Sequence, residues 1–274
     1  MIEIDLIKKA LAEDLAGGVD ITSVATIPET SISIADFVSR KPGVLAGVAM
    51  AKAVLEEVGL ADITVIKNDG ESIAAGDVLL TVRGNTRAIL LAERTALNFL
   101  GHLSGIASET AKWVSAISHT NCLVRDTRKT TPGYRQLEKF AVRMGGGTNH
   151  RMSLSDAALI KDNHIVAAGG ATKAFSAVRS AFPGSPIEIE VDTLDQLREI
   201  LPLQPDLILL DNMSPALCFE AVSIINGETK SEASGGITLE NAKAYAESGV
   251  DYIAIGALTH SATVLDIGLD LRME

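Results

Sequence analysis

The amino-acid sequence predicts an α/β protein in two parts, a small N-terminal α+β domain ahead of a parallel α/β barrel. Three observations predict it. The length of 274 residues accommodates one large domain or two small ones. The apolar residues change period along the chain, from mixed, to helical, to a regular strand–helix alternation. In the second half the apolar strand candidates recur roughly every 20 residues, the length of one βα unit. A doubly wound open sheet shows a similar alternation, so the period alone leaves that alternative open.

Taken in order, Ile4, Ile7, Leu11 and Leu15 share one face at helical spacing, and Ala16-Gly17-Gly18 ends that helix. An alternating β-branched run follows at Ser31 to Val38, then a helix over Met50 to Val58, then strand candidates at Ile63 to Ile66 and Val78 to Val82. From Thr86 to about Ser118 the period is helical, with Gly101 and Gly105 read as the meeting point of two helices. The domain boundary is therefore expected there, giving domains of residues 1–104 and 105–274. Six strands are expected beyond it: Cys122 to Arg125, Ala158 to Lys161, Ile187 to Val191, Leu207 to Asp211, Ser231 to Ser234 and Tyr252 to Gly256.

Hydrophobic residues make up 47% of the chain and charged residues 22%, a globular composition that excludes a disordered or fibrous protein. Lys plus Arg number 24 against 35 Asp plus Glu, a net charge of −11. So acidic a chain is repelled by nucleic acid and by anionic membranes, and general phosphate-backbone binding is excluded. Cys122 and Cys218 have no paired spacing, which excludes a disulfide scaffold and a cysteine-based zinc site and fits a reducing compartment. Met1 to Leu6 carries acids where a signal peptide has bases, and no segment offers the ~18 uninterrupted apolar residues of a membrane span. The expected location is the cytoplasm.

In either parallel architecture a site forms at the carboxyl ends of the strands, so the polar residues that end each apolar run are informative. They are Lys161, Glu190, Asp211, Ser234 with Gly235 and Gly236, and Gly256. Any one of them could be an ordinary solvated loop residue; five strands all ending this way argue for a site. Ser234-Gly235-Gly236 precedes Thr238-Leu239-Glu240-Asn241-Ala242, read as a helix start whose backbone N–H groups could hold a phosphate. Glu190 and Asp211 suit Mg²⁺ shared with substrate phosphates, or a role as general bases, and the residues alone do not separate the two.

Between Arg125 and Lys161 eight basic residues face three acids, a local +5 in an acidic chain. The same stretch holds Thr130-Thr131-Pro132-Gly133, Gly145-Gly146-Gly147 and Asn149-His150-Arg151, loop-forming and donor-rich, which favours a pocket for a small polyanion over a merely solvated face. Arginine's fork matches a planar carboxylate and lysine supplies a compact charge for phosphate. Arg128 beside Lys129, and Arg151 with Lys161, thus suggest a ligand carrying both groups. Arg94 shares a helix face with Leu90 and Leu97, where an unpaired charge is costly. A snorkelling arginine or a pair with a nearby acid accounts for it equally well.

With those residues in view, the chain resembles the quinolinate phosphoribosyltransferases, the decarboxylating type II enzymes of NAD biosynthesis. The resemblance rests on Glu93-Arg94-Thr95-Ala96-Leu97-Asn98, Asp126-Thr127-Arg128-Lys129-Thr130, Gly145 to Arg151, Leu159-Ile160-Lys161-Asp162-Asn163-His164, Glu188 to Val191, Leu210-Asp211-Asn212-Met213, Glu232 to Ile237 and Gly256 to His260. These occur in the family's order over nearly the whole chain. The resemblance implies an N-terminal α/β sandwich domain, an incomplete α/β barrel, and a homodimer in which each N-terminal domain completes the partner's site, with the last residues of the chain possible members of that domain. It implies quinolinate binding by Arg128, His150, Arg151 and Lys161, joined by Arg94 from the other subunit. It implies contact with phosphoribosyl pyrophosphate and its Mg²⁺ by Lys129, Glu190, Asp211, Ser234, Gly235, Gly236 and Gly256, with His260 close by.

One departure is Ser153, where the family usually has glycine; if that position needs a positive φ, the loop here is built differently. Three rivals stand beside this reading. They are the related transferase-like protein encoded with molybdate transporters, a Schiff-base aldolase using Lys161, and a non-enzymatic phosphate-ligand sensor. The first usually lacks the Asn before His-Arg and the Ile-Lys-Asp-Asn-His string, both present here. The last leaves the carboxylate-binding arginines unexplained.

Overall fold

A computed structural model describes residues 2–273. The chain opens with α1 (Ile4–Leu15), which ends at Ala16 in the left-handed conformation, and α2 (Ile21–Thr26), whose first turn is capped by the Asp20 carboxylate on the Ser23 amide. Then follow β1 (Ile32–Ser39), β2 (Gly43–Val44), α3 (Val48–Glu57), β3 (Asp62–Val65), β4 (Ser72–Ile73), β5 (Val78–Asn85) and the 31-residue α4 (Thr86–Ala116). Next come β6 (Leu123–Arg125), α5 (Arg135–Met144), β7 (Ala158–Ile160), α6 (Asp162–Ala168), α7 (Ala171–Ala181), β8 (Ile187–Val191), α8 (Leu194–Ile200) and β9 (Leu207–Asp211). The chain closes with α9 (Pro215–Ile225), β10 (Lys230–Ser234), α10 (Ala242–Glu247), β11 (Tyr252–Ala254), α11 (Ala257–His260) and β12 (Ile267–Met273).

Two compact units result, one of residues 1–111, 136–146 and 261–274, the other of residues 112–135 and 147–260. The division is less simple than a cut at 104/105, because α5 and β12 rejoin the first unit after the chain has entered the second. The first unit is an antiparallel sheet in the order β12-β1-β5-β3, with β2 paired to β4. In β1 the alternation puts Ala35 and Phe37 on the buried face, opposite Val82 and Leu80 of β5. Ile89, Ala92, Ala96, Leu100, Leu103 and Ala107 form the fully buried stripe of α4 at the 3–4 spacing of an amphipathic helix.

Gly101 and Gly105 do not separate two helices; α4 runs straight through them. A Cβ at Gly105 would lie on top of the Thr263 carbonyl oxygen. The glycine therefore marks a close approach of backbone, worth more here than the ~1 kcal/mol it costs in helix propensity. Sequence periodicity cannot distinguish a glycine that ends a helix from one that lets another segment lie against it.

In the second unit six parallel strands pair in the order β6-β11-β10-β9-β8-β7. The first strand lies beside the last, as in a barrel, while β6 and β7 are the two edges among the described residues. An isolated parallel bridge between Arg125 and Thr148 extends the β6 edge. The sheet is thus an open barrel, and its strands are the six expected. Because all run the same way, their carboxyl ends share one mouth.

Both cysteines are buried and free, and burial pushes the Cys122 thiol up to about 12 and the Cys218 thiol up to about 11. No helix among the described residues is long and apolar enough to cross a membrane.

Candidate active site

A cavity of about 690 Å³ opens at the carboxyl ends of the barrel strands, in the size range of a small-molecule site. Arg128 and Lys129 after β6, His150 and Arg151 at the barrel edge, and Lys161 after β7 make its basic wall. Asp211 and Asn212 at the end of β9, Ser234, Gly235 and Gly236 after β10, and Gly256 with His260 around α11 complete it. A depression of about 820 Å³ at the opposite strand ends is lined by residues such as Asp206, Lys230 and Asp251. There Lys230 and Asp251 pair with each other at 2.6 Å, and the strand carboxyl termini are absent.

On the basic wall, the Nε donors of Arg128 and Arg151 are buried without a hydrogen-bond partner, in a cavity that can offer them an acceptor. Burial, and then the neighbouring charge of Arg128, hold the Arg151 guanidinium below its ordinary range. Like charges brought together out of water favour an anion between them. Arg151 is braced by a 2.8 Å bond from one terminal nitrogen to the Ala157 carbonyl. Of the eight basic residues in the 125–161 stretch, Arg128, Lys129, Arg151 and Lys161 line the cavity. Arg125 lies beneath it, and Arg135, Lys139 and Arg143 ride on α5, where Lys139 is fully buried. The local positive charge read from the sequence is thus two populations.

The acidic side comes from β8 and β9. Glu190 does not line the cavity itself; its Oε2 accepts from Lys161 Nζ at 2.7 Å. Glu190, Asp192 and Asp211 each offer an oxygen, all within 4.8 Å of one another. Burial, and then the charge of Glu190, raise the Asp211 carboxyl above its ordinary range. Oxygen donors crowded in this way are what a hard divalent cation takes as ligands. Asp192 escaped the sequence reading, although it is the polar residue immediately after β8 and the strand-end rule would have found it.

Beneath the mouth lies a second set of charges that sequence reasoning also missed. Asp126, fully buried, accepts from the His150 amide at 2.8 Å and from Asn149 Nδ2 at 2.6 Å. Glu232, also fully buried, accepts from Arg125 at 2.8 Å, and Arg125 lies over the Tyr252 ring at 3.5 Å. Glu188 Oε2 is 2.8 Å from His150 Nε2. Burial and the charge of Glu188 push the Glu232 carboxyl upward, against His150 and Arg125. The available signal was Glu188 itself, two residues before Glu190 and so on the same strand face.

Three further expectations meet the structure here. The helix after Ser234-Gly235-Gly236 starts at Ala242, not Thr238, and has six residues, so no helix terminus grips a ligand at that loop. Thr238 and Asn241 instead close a turn, with the Thr238 amide donating to Asn241 Oδ1 at 2.8 Å. Arg94 lies in the first unit, exposed on α4, outside the cavity and without the apolar surroundings expected of it. Ser153 has no positive φ; its hydroxyl donates to Asp156 at 2.5 Å, and its amide bonds the same carboxylate at 3.1 Å. The loop therefore does not need glycine at that position.

Gly235 does need to be glycine. Its φ is +89°, and a Cβ would fall on the Asn212 side-chain oxygen and 3.0 Å from the Asn212 amide nitrogen. Gly236, at φ +63°, has open space around it. Gly236→Ala should therefore cost only the ~1–2 kcal/mol of a left-handed alanine, whereas Gly235→Ala should cost distinctly more and move Asn212. Urea unfolding of the two variants checks this; equal losses would contradict the packing described.

Comparison with known proteins gives the same picture. The description "Quinolinate phosphoribosyl transferase, N-terminal domain" matches residues 20–104, and its C-terminal counterpart matches residues 106–270. The chain is 50% identical to the nicotinate-nucleotide pyrophosphorylase [carboxylating] of Mycobacterium leprae, over 97% of this chain and 96% of that one. It is 39% identical to a quinolinate phosphoribosyltransferase [decarboxylating] of Nicotiana tabacum, over 98% of this chain and 82% of that one. The crystal structure of NadC from Streptococcus pyogenes superposes with a TM-score of 0.94 at 39% identity, covering 98% of this chain and 96% of that one. Matches to both domains and across nearly the whole length leave one conclusion: the chain belongs to the quinolinate phosphoribosyl transferase family.

Proposed function

We propose that the protein catalyses decarboxylating phosphoribosyl transfer. Quinolinate and phosphoribosyl pyrophosphate give nicotinate mononucleotide, pyrophosphate and CO₂, a step of NAD biosynthesis. The observation that carries this reading is the single cavity with two unpartnered arginine donors on one wall and three clustered carboxylates beside the other. A ligand with two carboxylates and a ligand with phosphates both find their chemistry there. Neither the cavity nor the comparisons favour the molybdate-transport-associated protein, the aldolase or the sensor.

In the first step the quinolinate ring nitrogen bonds to C1 of the phosphoribosyl group while the bond from C1 to pyrophosphate breaks. Positive charge develops on the ribose, and Glu190 and Asp211 stabilise it electrostatically. Lys129 offsets the charge on the departing pyrophosphate, and the Ser234 hydroxyl and the backbone of Gly235, Gly236 and Gly256 meet its oxygens. Glu190, Asp192 and Asp211 fit Mg²⁺ by donor type and spacing. When bound, that ion neutralises phosphate charge. In the second step the bond from C2 to its carboxylate breaks, the electron pair stays at C2 beside the cationic ring nitrogen, CO₂ leaves, and a solvent proton takes its place. Arg128, Arg151 and Lys161 orient the acid for this with His150 beside them, and exclusion of water favours loss of the localised carboxylate charge. His260 stands at the phosphate end.

The active unit in this reading is a homodimer in the cytoplasm. The exposed Arg94 reaches the partner's cavity, and the two buried free thiols suit a reducing compartment. An assay with Mg²⁺ that follows nicotinate mononucleotide and CO₂ together tests the reaction. Both products are expected with quinolinate and neither with nicotinate. Arg128→Lys keeps the charge and loses the fork, so it is expected to lose most activity while remaining folded; near-normal turnover would remove Arg128 from the site. Mixing inactive Arg94→Ala with inactive Arg128→Ala should restore about a quarter of wild-type activity through heterodimers with one intact site, and no recovery would contradict the shared site.

A further inference from the structure

Both ring nitrogens of His150 are used inside the protein. Nδ1 accepts the Arg151 backbone N–H at 2.7 Å. A nitrogen that accepts an amide hydrogen carries no proton of its own, so the ring proton resides on Nε2. Nε2 points at Glu188, 2.8 Å away, with Glu232 at 3.6 Å. Glu188 is 5% exposed and Glu232 is fully buried. No ring nitrogen is left over to bond a carboxylate of the substrate, although His150 lines the cavity.

The residues around it act as a frame for the neighbouring arginine. The His150 amide is held by Asp126 at 2.8 Å, the Arg151 amide by the His150 ring, and the Arg151 guanidinium by Ala157. Among the described residues Glu188, carried by β8, makes the shortest tie between the imidazole and a barrel strand, and the 149–151 segment lies outside the named strands. The neighbouring Glu232 gives one carboxylate oxygen to Arg125 at 2.8 Å, and its other oxygen, 3.6 Å from Nε2, lies beyond hydrogen-bond distance. Carboxylate–histidine pairs of this kind fix a ring's tautomer and orientation wherever a histidine must hold something else in place.

We propose that Glu188 is a positioning residue for quinolinate: it locks His150 as the Nε2–H tautomer, and His150 in turn sets where Arg151 presents its guanidinium to the cavity. The proposal rests on the reading of this cavity as the quinolinate pocket. It assigns His150 a mechanical role and makes Glu188, which does not line the main cavity, a determinant of affinity for the acid.

Two measurements on the full-length protein test it. The first is steady-state kinetics with each substrate varied in turn. Glu188→Ala should raise KM for quinolinate roughly tenfold, the size of one lost charged hydrogen bond, with KM for phosphoribosyl pyrophosphate within about twofold. Glu188→Gln retains an oxygen that accepts from Nε2–H and should recover most of the loss. The second is ¹⁵N NMR of histidine-labelled wild-type protein without substrate, with His150 assigned by its disappearance in His150→Asn. A neutral Nε2–H ring is expected, losing its single tautomer in Glu188→Ala. A wild-type ring protonated on Nδ1, a parallel rise of both KM values, or a Glu188→Gln variant no better than Glu188→Ala would each overturn the proposal. Because the NMR needs no substrate, wild-type protein inert toward quinolinate but with the expected ring would refute the functional reading instead.

Discussion

Arg125, Arg128 and Arg151 are drawn together at one end of a barrel, partly out of water, and that arrangement persists only because acids lie beneath them. Removing one partner of a buried ion pair typically costs about 3–5 kcal/mol, since the remaining charge cannot be rehydrated. Glu232 is such a partner for the Arg125 guanidinium, while the buried Asp126 and Glu188 accept hydrogen bonds from the 149–150 segment and the His150 ring. The cavity's basic wall is the upper surface of this charged layer. Its free donors are the ones the layer does not satisfy.

The sheet order turns this layer into a site. Since β6 lies beside β11 and β7 sits at the far edge, the chain passes from one edge of the sheet to the other between β6 and β7 and then fills it strand by strand. The basic residues come from the early elements and the barrel edge, while the carboxylates come from β8 and β9. A wall of basic side chains and a corner of clustered carboxylates therefore lie beside one space of about 690 Å³. Lys161 joins the two, as it lines the cavity and holds Glu190 at 2.7 Å. In the absence of substrate, that pair keeps a lysine and a carboxylate from standing unpaired.

Much of this was legible in the sequence. The six parallel strands and their polar ends follow from the regular apolar runs, and the mouth residues follow from the rule that parallel sheets place sites at strand carboxyl ends. What escaped has physical reasons. Glu188 and Glu232 lie within buried strands, where a carboxylate is costly unless a partner from elsewhere in the chain reaches it, and no local pattern names that partner. Gly105 looked like a helix end because a close approach by Thr263, 158 positions later, leaves no trace in a window of helical period. The sequence suggests a helix start at Thr238 because the Asn241 side chain caps a turn there, which imitates the beginning of a helix, and α10 itself starts at Ala242. Arg94 was read against a stripe containing Leu90 and Leu97, whereas the fully buried stripe runs one position away, through Ile89, Ala92 and Ala96.

Recognition of two carboxylates at once by the basic wall is the central proposal, and calorimetric titration of the wild-type protein with quinolinate and with nicotinate tests it most directly. Each charge-assisted hydrogen bond to a carboxylate is worth roughly 1.5–3 kcal/mol. Loss of one carboxylate should therefore weaken binding by about 10- to 100-fold or more. A quinolinate affinity exceeding that of nicotinate by this factor is the predicted result. Equal affinities for the two acids would contradict this, because Arg128 and Arg151 would then not jointly read the ligand.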